Sequence, residues 1–409
     1  MDKLMGMLGG SPNIKPRYDD DVVDRLHRNF TVCLLVVFAV VVSSKQYVGD
    51  PINCWVPAHF TGNHEDYTNT YCWVKNTYYL PFDENIPKDY EHELRRMIPY
   101  YQWVPIILLL QALMFYIPCL FWRTLNSRSG INVDSIVTAG VTYLKIDIKA
   151  IEEKSLDFVT NQLDRYLREI PNQPRSNFTI SLKSLTRIFD SCFGKRHGNY
   201  LITIYLMTKL LYLGNLIVQL FLLERFLGSD FLSYGIDVLW SMYESTEWTG
   251  SARFPRVTMC DFLIRRVGNI QRYTVQCALT INLFNERIYL FIWYWFVLLI
   301  LITIINLFMW FVRVTFKRDQ MSYIKKHLKY KFATKNKNSD IDDSTEKCFN
   351  TEIDDEKLKN FTHYYLGYDG IFVLKLVGEN TNTFTVTEIV SILYEKFDKE
   401  PHTKRPDKE

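Results

Sequence analysis

The sequence lacks an excess of either charge. Among its 409 residues, 48 are basic and 45 are acidic, which gives a net charge of +3 at pH 7. A nucleic-acid-binding protein needs a concentrated basic surface, so this balance argues against that class. The composition is not that of a disordered chain either, because 48% of the residues are apolar. We therefore expect a folded protein that has no nucleic-acid partner.

The sequence also lacks the motifs of common enzymes. The patterns GxxxxGK[ST], HExxH and GxSxG, which bind phosphate, bind zinc or present a serine nucleophile, are all absent. Eight histidines occur, and all lie outside the apolar segments described next: His27, His59, His64, His92, His197, His327, His363 and His402. We therefore expect no enzyme activity, no catalytic residue, no cofactor and no metal site.

Apolar residues are concentrated in four long segments, at 29–47, 103–122, 200–223 and 288–312. A helix needs roughly 20 apolar residues to cross the hydrocarbon core of a bilayer. A buried core helix is the alternative for any one segment, but four such helices would leave too little apolar sequence to cover them. No aspartate or glutamate lies inside these segments, so an intramembrane proton relay would lack its ligands. The sequence predicts an all-α polytopic membrane protein with four transmembrane helices.

Flanking charges predict the orientation of these helices. Residues 1–28 lack the apolar core of a signal peptide, so we expect them to stay in the cytoplasm. Seven lysines and arginines follow the fourth segment between positions 313 and 331, which agrees with the positive-inside rule. The loops 48–102 and 224–287 are then extracellular. The arginines of the second loop, among them Arg253, Arg256, Arg265 and Arg266, disagree with the rule, but long loops cross a membrane regardless of charge.

The regions 123–199 and 313–409 are then cytoplasmic, and both show helical patterns. Apolar residues recur at three- and four-residue spacing in the first region, at Leu156, Val159, Leu163, Leu167 and Ile170. The second contains a polar stretch at 335–346, which we interpret as a flexible linker, and an amphipathic helix at 385–397. We expect a helical cytoplasmic layer.

Four of the eight cysteines fall in the predicted extracellular loops, and these are Cys54, Cys72, Cys260 and Cys277. Disulfides persist outside the cell, whereas the long spacings differ from the short ones of zinc sites. We therefore expect two disulfides that hold both loops together as one extracellular layer. Four cysteines allow three pairings, and the sequence alone does not choose among them.

Polar and helix-breaking residues within the segments suggest further roles. Lys209 in the third segment either lines a water-filled cavity or extends its amine to the cytoplasmic interface, and we favour the second interpretation. Pro105 and Pro118 bracket the second segment, where each can kink the helix as a gating element would require. Pro105 is equally compatible with a structural role, because proline is tolerated near a helix start.

Several motifs resemble those of one family, the innexins, which form gap junctions in invertebrates. Residues 100–105 (YYQWVP) resemble the family signature at the start of the second span, and residues 46–54 (QYVGDPINC) resemble the opening of its first extracellular loop. Residues 254–262 (FPRVTMCDF), 275–277 (VQC) and 282–286 (NLFNE) resemble the second loop and the approach to the fourth span. The likeness runs from about residue 24 to residue 314, and more loosely through residues 367–397.

The resemblance implies a plasma-membrane channel at gap junctions. Each subunit would join other innexin subunits, of the same or a different kind, around a central pore in the lipid bilayer. Two such hemichannels on apposed cells would dock through their extracellular loops and pass ions and small solutes. It also implies disulfides from Cys54 to Cys277 and from Cys72 to Cys260.

The resemblance further implies which residues line the pore. In the family the N-terminal segment folds into the pore, which places Asp2 and Lys3 near the constriction. Lys45 and Asp50, at the exit of the first span, would line the outer pore. Charges repeated by every subunit would set the selectivity of such a pore.

Two alternatives remain at this point. An unpaired large-pore channel, as in the related pannexins, would favour sugar on its outer loops, but the three sequons at Asn29, Asn177 and Asn360 lie outside those loops. A four-span adhesion or junction protein usually has a short intracellular loop, whereas the predicted loop here is long.

Overall fold

The computed structural model of the protein describes residues 17–81, 83–84, 86, 97–145, 149–169, 198–228, 230–245, 253–337 and 355–399. Among these residues, four helices are long and apolar enough to cross a membrane. They are α1 (Val22–Tyr47), α3 (Val104–Asn126), α6 (Tyr200–Leu227) and α8 (Thr280–Thr315). The expected four membrane helices are therefore confirmed. The helices extend beyond the predicted segments because hydrogen bonding continues into flanking polar residues.

Shorter helices make up most of the remaining described structure. One follows the first membrane helix and one follows the third, namely α2 (Gly62–Lys75) and α7 (Tyr234–Tyr243). The others are α4 (Val133–Lys145), α5 (Lys149–Glu169), α9 (Lys317–Lys337), α10 (Asp355–Asn360), α11 (Gly367–Asn380) and α12 (Thr383–Asp398). Helix α12 contains the amphipathic stretch predicted at 385–397. The predicted linker at 335–346 begins within α9, and its part from residue 338 onward lies outside the described residues.

Two π-helical turns interrupt this pattern within the described parts of the chain. The first, Leu26–Thr31, lies within α1, and the second, Phe361–Leu366, joins α10 to α11. The Thr31 hydroxyl donates to the Leu26 carbonyl at 2.9 Å, which satisfies an acceptor inside the wider turn. π-Turns inside helices are frequent at functional sites.

A five-stranded antiparallel sheet accompanies the helices, and the sequence analysis did not anticipate it. Its strands are β1 (Asn53–Trp55), β2 (Thr77–Tyr78), β3 (Met97–Ile98), β4 (Val257–Arg266) and β5 (Asn269–Ala278), in the order β1-β5-β4-β2-β3. The two long strands form a hairpin with a two-residue loop, in which Gly268 takes a φ of 81°. Glycine adopts this conformation without the steric cost that other residues meet.

The chain forms two compact units, each with its own apolar core. The helical unit comprises Met1–Arg25, Pro118–Leu211 and Ile305–Glu409, and its core includes Leu163, Phe372 and Ile389. The disulfide unit comprises Leu26–Ile117 and Tyr212–Ile304. Its core includes Phe254, Phe262 and the cysteines of the sheet.

Candidate docking layer and pore-lining segments

Two disulfides join four separate segments of the disulfide unit. Cys54 of β1 is bonded to Cys277 of β5, directly opposite in the antiparallel register. Cys72 of α2 is bonded to Cys260 of β4. This pairing is the one that the resemblance implies. Because all four sulfurs are in disulfides, none of them is a thiolate that could bind zinc.

Hydrogen bonds hold α2 against the sheet beside the disulfides. The Asn69 side chain accepts the Cys54 N–H at 2.8 Å, and the Lys75 amine donates to the Asp261 carbonyl at 2.7 Å. The Asp261 carboxylate is buried, where it pairs with Arg272 and accepts from the Tyr78 hydroxyl. These contacts and the disulfides fix one helix and five strands as a single layer.

The β4–β5 hairpin extends from this layer with its outer half exposed. Apart from half-buried Ile264, every residue from Leu263 to Arg272 is exposed. Its exposed side chains combine apolar groups with arginines, namely Leu263, Val267, Ile270, Arg265, Arg266 and Arg272. A rigid element that exposes apolar and charged groups together is suited to contact another protein.

The candidate outer-pore residues lie at the end of α1. The Lys45 side chain is half-buried and lies over Gly49, while the Asp50 side chain is exposed. The Asp50 carbonyl accepts from the Thr280 hydroxyl at 2.7 Å. Gln46 donates its side-chain N–H to the Tyr101 carbonyl at 2.7 Å, which ties this end of α1 to the YYQWVP motif. The backbone at Asp50 and the side chain of Gln46 are therefore fixed by neighbouring segments.

The remaining candidate site residues are the two prolines of α3 and two charged residues near the N-terminus. Pro105 is the second residue of α3, where its missing N–H leaves no helical hydrogen bond unmade. Pro118 lies inside α3, where it removes a backbone donor. Asp2 and Lys3 lie outside the described residues.

A buried ionic cluster in the helical unit corrects the interpretation of Lys209. Its side chain is fully buried, and its amine lies 2.6 Å from Asp21 Oδ2 and 2.8 Å from Asp24 Oδ1. The interpretation that Lys209 extends to the interface is therefore wrong. Asp24 lies within α1 but ahead of the predicted segment 29–47, because the helix extends beyond that segment. The prediction began the first helix at residue 29 and missed its first turns.

Aromatic groups complete the ionic cluster. The Trp310 indole donates to Asp21 Oδ2 at 3.0 Å, and the Tyr205 hydroxyl donates to Asp24 Oδ2 at 3.0 Å. The Trp122 indole donates to the Asp19 carbonyl at 3.0 Å. The chain just before α1 is therefore bound to α3, α6 and α8. The sequence offered only two separate signals, the acidic run DDDVVD before the first apolar segment and the lysine within the third.

His27 forms a separate buried contact in the disulfide unit. It lies in the π-turn of α1, and its Nε2 is 2.9 Å from the Thr303 hydroxyl. Its ring packs on Tyr212 at 4.6 Å between ring centroids. The sequence analysis placed this histidine outside the first membrane helix, whereas it lies within α1.

Asp369 of α11 caps the start of the third membrane helix within the helical unit. Its carboxylate accepts the Ile202 N–H at 3.2 Å and the Tyr166 hydroxyl at 3.2 Å. A negative charge is favoured at a helix N-terminus, where backbone N–H groups lack helical partners. Burial nevertheless raises the pKa of Asp369 to about 7. Asp369 therefore holds a proton more readily than an exposed aspartate does.

Comparisons with known proteins agree with these features. A family model described as innexin matches residues 20–397. The chain is 36% identical to innexin unc-9 of Caenorhabditis elegans over 389 residues, which are 94% of each protein. It is 33% identical to innexin eat-5 of the same nematode, over 96% of this chain and 91% of that protein. It is 34% identical to innexin-19 of Caenorhabditis briggsae, over 93% and 87%. The family match contains all four membrane-length helices and both disulfides.

Proposed function

The chain belongs to the innexin family and is a subunit of a gap-junction channel, and on this premise we propose how its parts dock and conduct. The disulfide unit meets its counterpart on an apposed cell, and the N-terminal region and the end of α1 line the pore. Ions and small solutes then pass directly between two cytoplasms.

The proposed orientation places both termini in the cytoplasm of a plasma-membrane channel. Helix α9, which follows the last membrane helix, carries exposed Lys317, Arg318, Lys326 and Lys329, as the positive-inside rule favours on the cytoplasmic side. The two disulfides favour an oxidising location for the loops 48–102 and 224–287.

The pair of disulfides is the observation that carries the docking proposal. They lock β1, β4, β5 and α2 into one layer, from which the exposed half of the hairpin extends. A preorganised surface loses less conformational entropy when it binds than a flexible loop does. The extracellular loops also contain no sequon, so sugar would not separate two apposed layers.

The pore proposal concerns charges that an oligomer repeats. Subunits of this chain, alone or with other innexins, surround the axis, so Asp2, Lys3, Lys45 and Asp50 each form a ring of charge. The buried contacts of Asp21 and Asp24 support this proposal, because they fix the point from which the N-terminal region continues. Pro118, inside α3, is the candidate kink for gating, and Pro105 is a weaker one.

Cysteine substitutions test the docking proposal. Cys54→Ser or Cys277→Ser removes the bond that joins β1 to β5, so we expect junctional conductance between paired cells to be lost. The matched control is Cys33→Ser, because Cys33 of α1 is not in a disulfide. Surface biotinylation measures whether each variant reaches the plasma membrane.

Two results would decide whether docking requires the disulfide layer. Loss of junctional conductance in a variant that reaches the surface, with Cys33→Ser conducting normally, supports a docking role for the disulfide layer. Normal junctional conductance in either disulfide variant contradicts it.

A further inference from the structure

Helix α7 exposes a large apolar face. Ile236, Leu239, Trp240 and Tyr243 are 60%, 55%, 62% and 83% exposed. Their spacing of three, four and seven residues places them on one side of the helix. The helix has 10 residues, which is too short to cross a bilayer. This apolar face therefore needs an occupant other than the core of its own unit.

Other residues of α7 form a packed side and a polar side, and Met242 near its end is exposed. Tyr234, Gly235 and Val238 are buried in the disulfide unit. Asp237 and Glu244, the residue that follows the end of the helix, are exposed, and their spacing of seven residues places them together on another side. A helix with one side packed, one side apolar and exposed, and one side charged fits a boundary between hydrocarbon and water.

Contacts with α8 fix the depth of α7 relative to a membrane helix. The Trp293 indole donates to the Leu232 carbonyl at 3.1 Å, and the Tyr294 hydroxyl donates to the Gly235 carbonyl at 2.9 Å. The approach is so close that a Cβ on Gly235 would lie 2.1 Å from the Trp293 ring. The start of α7 is therefore directly against residues 293–294.

Those residues lie just inside the apolar part of α8. The helix has no charged residue between Arg287 and Arg313. At a rise of 1.5 Å per residue, Trp293 lies about 9 Å beyond Arg287 along the axis. Helical side chains tilt towards the N-terminus, so Trp293 reaches back towards the Arg287 end. Its partner α7 is thus at the depth where interfacial helices lie.

The end of α6 gives a second, independent marker of this depth. Glu224 is the first charged residue after Lys209, so it marks the edge of the apolar part of that helix. Its carboxylate accepts the N–H groups of Asp230 and Leu232 at 2.8 and 2.9 Å. The turn that leads into α7 is therefore attached at the membrane boundary.

We propose that α7 is an interfacial helix whose apolar face, Ile236, Leu239, Trp240 and Tyr243, inserts among the lipid acyl chains of the adjacent leaflet. Tryptophan and tyrosine are the residues that favour this depth in a bilayer. Asp237 and Glu244 remain at the aqueous side. The helix anchors the start of the second long loop to the bilayer. The leaflet is the outer one if the proposed orientation holds, but the lipid contact itself does not depend on docking or conduction.

Spin labels on α7 test this proposal in the assembled channel. Single cysteines are placed at 236, 239, 240 and 243, and at the control positions 237 and 244, in a chain in which Cys33, Cys119, Cys192 and Cys348 are replaced by serine. The labelled channel is reconstituted into phosphatidylcholine vesicles, and collision rates with oxygen and with a water-soluble nickel chelate are measured. We expect severalfold greater oxygen than nickel accessibility at the four apolar positions and the reverse at 237 and 244.

Two other patterns would overturn the proposal. Low accessibility to both reagents at the apolar positions would show that a neighbouring subunit covers them, and high nickel accessibility would show that they face water. Native fluorescence provides a second measurement that needs no cysteine replacement. Brominated lipids should quench the wild-type channel more than Trp240→Phe, and equal quenching of the two proteins would contradict a lipid-facing Trp240.

Discussion

The Lys209 amine lies 2.6 Å from the Asp21 carboxylate, and both side chains are buried in the helical unit. The two residues are 188 positions apart, so this ion pair joins the chain before the first membrane helix to the third. Asp24 adds a second carboxylate at 2.8 Å. Burying three charges is favourable only when each has a partner, so the cluster should behave as one unit.

Removing the amine should destabilise the channel. Lys209→Met leaves two buried carboxylates without their cation, and breaking a buried pair in this way costs about 3–5 kcal/mol. We expect a lower Tm and less assembled oligomer in fluorescence-detected size-exclusion chromatography. The control is Lys325→Met, because Lys325 pairs with Asp355 at the surface, where such a pair contributes about 0–1 kcal/mol.

Neutralising all three charged residues should restore part of the stability that Lys209→Met loses. The triple variant Asp21→Asn, Asp24→Asn, Lys209→Met carries no uncompensated charge, so its Tm should exceed that of Lys209→Met alone. A triple variant less stable than the single variant would show that the cluster does not act through charge pairing.

The sequence predicted the membrane helices because long apolar segments are a local signal. It did not reveal the Lys209 cluster, since a contact between residues 21 and 209 leaves no local trace. The predicted segment began at residue 29, whereas α1 begins at Val22. Residues 22–28 are helical, but their charged groups lower the local hydropathy. Burial by neighbouring helices made those charges tolerable.

The sheet was missed for a different reason. Residues 257–278 are rich in β-branched and aromatic residues around a Val267-Gly268 loop, which is a hairpin signal. Part of this stretch resembles a family motif, and the hairpin was not predicted from it. The cysteine pairing came from the resemblance, because spacing alone leaves three choices.

Adding a methyl group at Gly235 should disrupt the contact between α7 and α8. The new Cβ would lie 2.1 Å from the Trp293 ring, and overpacking of this kind costs about 1–3 kcal/mol. We expect Gly235→Ala to lower the Tm of the purified channel. Gly214→Ala in α6 is the matched control, since a Cβ there meets no neighbouring atom within 4 Å. Equal Tm values for the two variants would contradict the close packing.

Asp369 should make stability depend on pH. Burial raises the pKa of Asp369 from 3.8 to about 7, so the folded protein holds this proton more tightly than the unfolded chain does. The stabilisation that comes from the more tightly held proton of Asp369 is complete below about pH 4 and is lost as the pH rises towards 7. Asp369→Asn removes this dependence, so the Tm of the variant relative to wild type should rise between pH 5 and pH 8. A Tm difference between Asp369→Asn and wild type that stays constant over this pH range would contradict this assignment. The same pH-dependent rise in Asp157→Asn, which changes an exposed aspartate, would also contradict it.

Asp50 should influence charge selectivity if the end of α1 lines the pore. Asp50→Asn removes one negative charge from every subunit, so the ratio of cation to anion permeability should fall. The reversal potential in a salt gradient measures this ratio. Asp66→Asn, which neutralises an exposed acid on α2, should leave the reversal potential unchanged. The same shift in both variants would indicate a general surface effect.

Electrical recording from paired cells measures whether this chain forms a channel that connects two cells. The wild-type chain is expressed in both cells of a pair, and junctional conductance is compared with the membrane current of single cells. We expect junctional conductance well above that of cell pairs that lack the protein, with little current in single cells. Current confined to single cells, or no junctional conductance from protein that reaches the surface in both cells, would contradict it.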